Sequence, residues 1–325
     1  MINASQRNTA VRLSVKNYHK PMVERFGDKY IQYRSEWNKS ERGEYLPDFP
    51  IQLDFELADY CNLQCVMCPR STDRGSNTKF PLSDFKRIIN EGVDQGLKSV
   101  GLSGAGEPLL NNNLLEMIGY ANSKGIIDIR LITNGTLLTP ELSQKLVTSG
   151  LTWISISIDA VKPETYEQIR GSDLHKLEDN VIALLDDRDN SGQSLPVVRV
   201  SFVYMDENCD EVGNFVAKWS PIIDFIDIQD CLDTVRIKAN SIKIDYADTL
   251  DNWWCFQPWQ RMTITAHGIA TPCCTFQGRK LPMGSIHHST IKSIWTSEQM
   301  VELRTQISTK SPPIACRVCY ASKVG

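Results

Sequence analysis

The chain has 325 residues, with 35 Lys and Arg against 39 Asp and Glu, a formal net charge of −4 and 41% hydrophobic residues. That balance gives no general attraction to nucleic acid or anionic lipid, the hydrophobic share is that of a globular protein, and no run of about eighteen apolar residues offers a membrane helix. Residues 1–18 are polar and lack the apolar core of a signal peptide, so a cytoplasmic location is expected, where ten cysteines point to metal ligation rather than disulfides.

Residues 1–50 are charged with scattered aromatics (Tyr18, Tyr30, Tyr33, Trp37, Tyr45). The pattern over 19–37 predicts one amphipathic helix, broken by the Pro47 and Pro50 turn, in an N-terminal extension that covers one end of the core. From residue 51 strands and helices alternate. Strands are expected over 51–57, 99–103, 128–133, 153–158, 197–204 and 222–228. Helices are expected over 82–95, 114–124, 142–149, 164–185 with a break, and 212–218. Strand–helix alternation means parallel βα units, and six of them suit an α/β fold, a partial (β/α)6 barrel. In barrels built this way functional residues gather at the C-terminal strand ends. Beyond about residue 235 the rhythm stops: 236–246 reads as polar and extended, followed by a compact segment rich in Cys, Trp and Gly. The expected division is 1–50, 51–235 and 236–325.

The first strand is followed by Asp59-Tyr60-Cys61-Asn62-Leu63-Gln64-Cys65-Val66-Met67-Cys68-Pro69-Arg70. Cysteines so spaced could share one helical face, but Asp59, Asn62 and Pro69 argue against an uninterrupted helix. A structural zinc site wants four closed ligands, and the next cysteine is Cys209. Three thiolates on a four-iron cubane leave one iron open for another ligand. The C-x3-C-x2-C spacing after a strand resembles the cluster loop of the radical S-adenosylmethionine (SAM) superfamily. The resemblance implies that Cys61, Cys65 and Cys68 hold a [4Fe-4S] cluster whose open iron chelates SAM. Reductive cleavage of SAM then gives a 5′-deoxyadenosyl radical that abstracts a substrate hydrogen atom, with an electron supplied by a reductant such as flavodoxin or ferredoxin.

The same resemblance implies the SAM contacts. Met67 stands where the family places an apolar residue against the adenine. Ala105-Gly106-Glu107-Pro108 resembles the family's Gly-Gly-Glu-Pro, with Ala105 for the first glycine. Glycine lets the backbone approach a ligand closely, and Glu107 would accept from the SAM ammonium, a charge-assisted contact. Asn134, after the third strand, and Ser157 and Asp159, closing the fourth, match positions that contact the SAM ribose or carboxylate. Alternation with Ile156 and Ile158 turns Ser157 away from the apolar face. Arg170, in Tyr166-Glu167-Gln168-Ile169-Arg170-Gly171, could hold the methionine carboxylate bidentately.

Farther on come Cys255, Pro258-Trp259, Gly268, Pro272-Cys273-Cys274, Met283-Gly284, Ile294-Trp295 and Cys316-Arg317-Val318-Cys319. This resembles the SPASM/Twitch extension of radical SAM enzymes in its form with a single auxiliary cluster. It implies a second [4Fe-4S] cluster closed by Cys255, Cys273, Cys316 and Cys319; spacing alone leaves a four-cysteine zinc site open. Together the two resemblances cover residues 51–325.

Cys209, Cys231 and Cys274 remain. They read as buried thiols, or one of Cys231 and Cys274 is a catalytic hydrogen-atom donor, as in radical SAM epimerases. The reading that results is a radical SAM oxidoreductase acting on a small polar metabolite such as a sugar, aminocyclitol or nucleotide sugar. Arg199, Tyr204, Asp227, Gln229, Asp230 and Arg236 are candidates for binding it. Epimerisation, elimination and ribosomal-peptide modification are the other enzymatic readings, and an iron–sulfur or zinc scaffold is the non-enzymatic one. No nucleic-acid or membrane partner is expected.

Overall fold

The computed structural model describes residues 11–231 and 254–324. The expected extended stretch 236–246, with Arg236, lies outside them.

Six parallel strands form in the expected order: β2 (Gln52–Phe55), β3 (Ser99–Leu102), β4 (Asp128–Thr133), β5 (Trp153–Ser157), β6 (Val197–Tyr204) and β7 (Phe225–Asp230). Each pairs with the next. The connections are α3 (Leu82–Asp94), α4 (Leu114–Ser123), α5 (Pro140–Thr148), the pair α6 (Pro163–Arg170) and α7 (Leu174–Asn190), and α8 (Val212–Trp219). The fold is thus α/β, an arc of six parallel strands joined by five helical crossovers, a partial barrel.

The strands have two distinct faces, as period-two alternation requires. Leu53, Phe55, Val100, Leu102, Ile129, Leu131, Ile154, Ile156, Val198, Val200 and Ile226 are buried in one cluster with Phe85, Ile88, Met117, Val181 and Trp219 from the helices. The inner face is polar. Ser99 Oγ donates to Gln52 Oε1 at 3.0 Å, Arg199 reaches Ser155 at 2.8 Å and Asp227 at 2.9 Å, and Gln229 donates to Asp227 at 2.7 Å. Gly101 is needed there, because a Cβ would lie 2.0 Å from Asp54 Oδ1.

Two features were not legible beforehand. Residues Val11–Ser14 form β1, antiparallel on the edge of β7. The C-terminal segment does not fold apart from the sheet: β8 (Arg261–Ile264) pairs parallel to β2, and β9 (Ile269–Thr271) and β10 (Gly284–Ser285) continue it antiparallel. This segment also carries α9 (Gln257–Gln260), α10 (Ile291–Trp295), α11 (Glu298–Ser308) and α12 (Ile314–Val324).

The single helix expected over 19–37 is two, α1 (His19–Phe26) and α2 (Asp28–Glu41), parted by Gly27 at φ +54°. Such a backbone suits glycine. Their Met22, Tyr30, Tyr33 and Trp37 pack on Ile51, Ile127, Leu195 and Val197, so the pair covers the N-terminal ends of the strands. Tyr33 donates to the buried Asp128 at 2.7 Å, and Trp37 lies against the Arg130 and Arg261 guanidiniums. Burial works against the Asp128 charge, but Arg130 and the Tyr33 and Thr152 hydroxyls outweigh it and hold the carboxyl below its ordinary range.

Tyr33→Phe removes one hydrogen bond to a buried carboxylate. We expect a loss of ~1.5–3 kcal/mol, read as a lower urea midpoint at unchanged m-value. An unchanged midpoint would show that this helix does not anchor the sheet.

Candidate cluster and SAM site

The Cys61–Cys68 loop leaves the C-terminal end of β2 without helical structure at the cysteines, as its Asp, Asn and Pro residues dictate. Asp59, 2% exposed, fixes its start. It accepts from Ser76 N and Oγ at 3.0 and 2.6 Å and from Thr78 N at 2.9 Å, with His267 Nε2 2.8 Å away. Burial opposes ionisation of Asp59, yet these donors hold its carboxyl at about 2.

Each cysteine is then held from behind by a buried carboxylate acting through a second residue. Asn134 Nδ2 donates to Cys61 Sγ at 3.7 Å, and Asn134 N donates to Glu107 Oε2 at 2.8 Å. Arg170 Nη1 donates to Cys65 Sγ at 3.5 Å, while its Nε donates to Asp159 Oδ2 at 2.7 Å and its Nη2 is paired with the same oxygen. Arg70 N donates to Cys68 Sγ at 3.4 Å, and its Nη2 stands 3.7 Å from Glu56 Oε1. Leu63 N adds a second donor to Cys61 Sγ at 3.4 Å. Glu56, Glu107 and Asp159 are 1%, 2% and 0% exposed; all three follow C-terminal strand ends.

These positions refine what the expected SAM contacts do. Glu107 also accepts from Leu109 N at 3.0 Å and Thr133 Oγ1 at 2.6 Å, leaving one acceptor position of about four. Asp159, at φ +66°, gives its second oxygen to Val203 N at 2.7 Å. Both carboxylates and Arg170 are therefore engaged within the protein. Gly106 approaches the protein's own loop: a Cβ would lie 2.2 Å from Ala58 O and 2.4 Å from Tyr60 O. Met67 and Ser157 are half-buried, with Ser157 accepting from Ser201 Oγ at 3.4 Å.

The four C-terminal cysteines come from separate elements. Cys255 precedes α9, Cys273 follows β9, and Cys316 and Cys319 are one turn apart on α12, which places them on one face. Burial, with Cys255, Cys273 and Cys319 facing it, pushes the Cys316 thiol up to about 12. Burial likewise pushes Cys61 and Cys65 up, with Cys65 facing Cys61 and Cys68 facing Cys65. Soft thiols grouped as three and as four suit iron–sulfur clusters. Ligation needs the thiolate form, so these thiols lose their protons on binding.

Cys231 lies at the C-terminal end of β7, half-buried. Cys274 is exposed, with Asp54 and Arg261 among the charges facing it, and Cys209 is exposed. Reading these spare thiols as buried is thus corrected for Cys209, which opens the short 3-10 helix Cys209–Glu211 at the surface, whereas burial still pushes the Cys274 thiol up to about 12. The sequence reading also missed Glu56, Arg70 and Arg279. The signal was Gln52, Asp54 and Glu56 at alternate positions of one strand, which marks a polar inner wall.

The family model of the radical SAM superfamily matches residues 55–197, the stretch that carries Cys61, Cys65, Cys68, Glu107, Asn134, Asp159 and Arg170. A probable GTP 3′,8-cyclase of Methanocaldococcus jannaschii is 30% identical over 211 residues, 61% of this chain and 67% of that protein. The chain belongs to the radical SAM superfamily. A second model, an iron–sulfur cluster-binding domain named SPASM, matches residues 255–320. Membership brings SAM and a [4Fe-4S] cluster, and the C-terminal match brings an auxiliary one. A probable GTP 3′,8-cyclase of Methanothermobacter marburgensis is 37% identical over 123 residues, 38% of this chain and 40% of that protein; the chain thus spans less than half of this relative. The fold is shared with BtrN, solved in complex with AdoMet and 2-DOIA (TM-score 0.54, 18% identity, 84% of this chain and 93% of that one). It is also shared with Streptococcus suis SuiB bound to precursor peptide SuiA (TM-score 0.57, 17% identity, 85% and 70%).

Arg170→Met would strand the Asp159 carboxylate in the interior. A broken buried pair costs ~3–5 kcal/mol, so the metal-free variant should melt well below wild type, with Asp159→Asn in the same chain recovering part of the loss. Equal melting of wild type and Arg170→Met would refute the pairing.

Proposed function

We propose that this chain is a radical SAM enzyme acting on a small polar metabolite of sugar, aminocyclitol or nucleotide-sugar type, with oxidation as the outcome. The observation that carries the substrate class is the polar inner wall of the sheet, where Arg199 joins Ser155 and Asp227, Gln229 donates to Asp227, and Ser201 donates to Ser157. Such a wall suits hydroxyl and charged groups; Tyr204 and Asp230, paired at the C-terminal ends of β6 and β7, are further candidates.

Cys61, Cys65 and Cys68 are the residues to hold the cluster with the open iron, and Cys255, Cys273, Cys316 and Cys319 those to hold the auxiliary one. A cluster with an open iron, when bound, supplies reductive cleavage of SAM and with it hydrogen-atom abstraction. Within the chain, Leu63 N, Arg70 N and Arg170 donate to the cysteine sulfurs. Met67 and Ser157 line the SAM space, Glu107 offers its remaining acceptor position to the SAM ammonium, and Asn134 and Asp159 orient the loop. Oxidation needs an electron acceptor, and the four C-terminal thiols are grouped to hold one. Residues 51–235 would form the core and 236–325 the auxiliary-cluster segment.

A small flavodoxin or ferredoxin is the proposed reductant. The cytoplasm is the proposed location, in keeping with ten cysteines of which seven are read as cluster ligands. Among the described residues no helix is long and apolar enough to cross a membrane. A second reading, modification of a ribosomal peptide, draws on the fold shared with peptide-bound SuiB.

The test is anaerobic incubation with SAM, a reductant and candidate polyols, amino sugars and peptides, scored for 5′-deoxyadenosine above the substrate-free background. Response to a polyol or amino sugar supports the proposal, and response to peptides alone overturns its substrate class. Run in D2O, oxidation predicts no deuterium at the product carbon and continued turnover by Cys231→Ala and Cys274→Ala. Deuterium incorporation that either substitution abolishes, while 5′-deoxyadenosine still forms, would establish epimerisation instead.

A further inference from the structure

The third of the carboxylate-backed arms reaches farther than the other two. Glu56 Oε1 accepts from Ala105 N at 3.1 Å and is shared by Arg70 and Arg279, while Oε2 accepts from Ala266 N at 3.0 Å. One carboxylate therefore joins the cysteine loop, the Gly104–Pro108 loop, the β8–β9 turn and the turn after Cys273. The two guanidiniums also rest on one ring, with Arg70 5.6 Å and Arg279 5.5 Å from the centre of Phe276.

Arg70 depends on these neighbours. Its side chain is 4% exposed, its Nε has no hydrogen-bond partner, and apart from Glu56 its polar contacts are Asp73 O at 3.2 Å and Asp73 Oδ2 at 3.1 Å. A buried guanidinium so sparsely bonded keeps its place through the ion pair and the packing around it. The Arg279 end is fixed by tight packing: a Cβ on Gly278 would lie 2.4 Å from Cys273 Sγ and 2.9 Å from Cys273 O, so the turn carrying Arg279 sits directly on that thiol.

We propose that Arg279 is a positioning residue for the N-terminal cysteine loop: through Glu56 and Phe276 it fixes Arg70, and so the backbone N–H that Arg70 donates to the Cys68 sulfur. The inference rests on Cys61, Cys65 and Cys68 holding a cluster, whose potential responds to hydrogen bonds at its sulfurs.

Two measurements test it. In the metal-free chain, hydrogen exchange at the Arg70 amide should quicken by about tenfold in Arg279→Met, the loss of one charge-assisted hydrogen bond, and return toward wild type in Arg279→Lys. In the reconstituted protein, EPR-monitored titration should place the Cys61–Cys65–Cys68 cluster at a more negative potential in Arg279→Met, since an N–H donor stabilises the reduced, more negative cluster. Should Arg279→Met not fold, Phe276→Leu keeps both charges, removes the shared ring and carries the same test. Unchanged exchange at Arg70 would overturn the proposal even if no cluster assembles. Quickened exchange with an unchanged potential would overturn the link to the Cys68 sulfur, and failure of SAM to bind wild type would count against the enzymatic reading alone.

Discussion

A buried carboxylate costs free energy unless donors surround it, and here three such groups hold one loop. Glu107 acts through Asn134 on Cys61, Asp159 through Arg170 on Cys65, and Glu56 through Arg70 on Cys68. Each carboxylate follows a different strand of the same sheet. The loop needs no regular structure of its own, because the strand ends fix it at three points. Donors aimed at the sulfurs from fixed strand ends orient the cysteines as ligands.

The same arrangement explains why the C-terminal segment continues the sheet. Pairing β8 beside β2 brings Ala266 and Arg279 onto Glu56 and His267 onto Asp59. The segment that groups four thiols of its own therefore also braces the loop that carries the other three. At the opposite end of the strands, α1 and α2 seal the barrel floor, and Tyr33 and Trp37 set the charged residues there in aromatic surroundings.

Much of this was legible in the sequence, because period-two alternation and βα rhythm are local signals. Strand 197–204 appears as expected, and Pro163 and Gly171 bound α6, with Gly171 opening the anticipated break before α7. Gly27 was the missed signal in the N-terminal helix. The pairing of β8 with β2 spans some two hundred residues, and no local pattern announces it. Glu107, Asp159 and Arg170 were recognised as site residues from their motifs. Sequence position does not reveal that they also bond within the protein, to Thr133, Val203 and Cys65. Glu56 went unread because a carboxylate in a strand looks like a solvated side chain until both faces of the sheet are seen to be covered.

The central claim is that one chain presents a three-thiolate site with an open iron and a separate, closed four-thiolate site. Iron and sulfide analysis of the anaerobically reconstituted protein, with Mössbauer spectra, tests it most directly. About eight irons and eight sulfides per chain are predicted, falling to about four when Cys61, Cys65 and Cys68 are all changed to Ala. A wild-type protein that never exceeds four irons would contradict it.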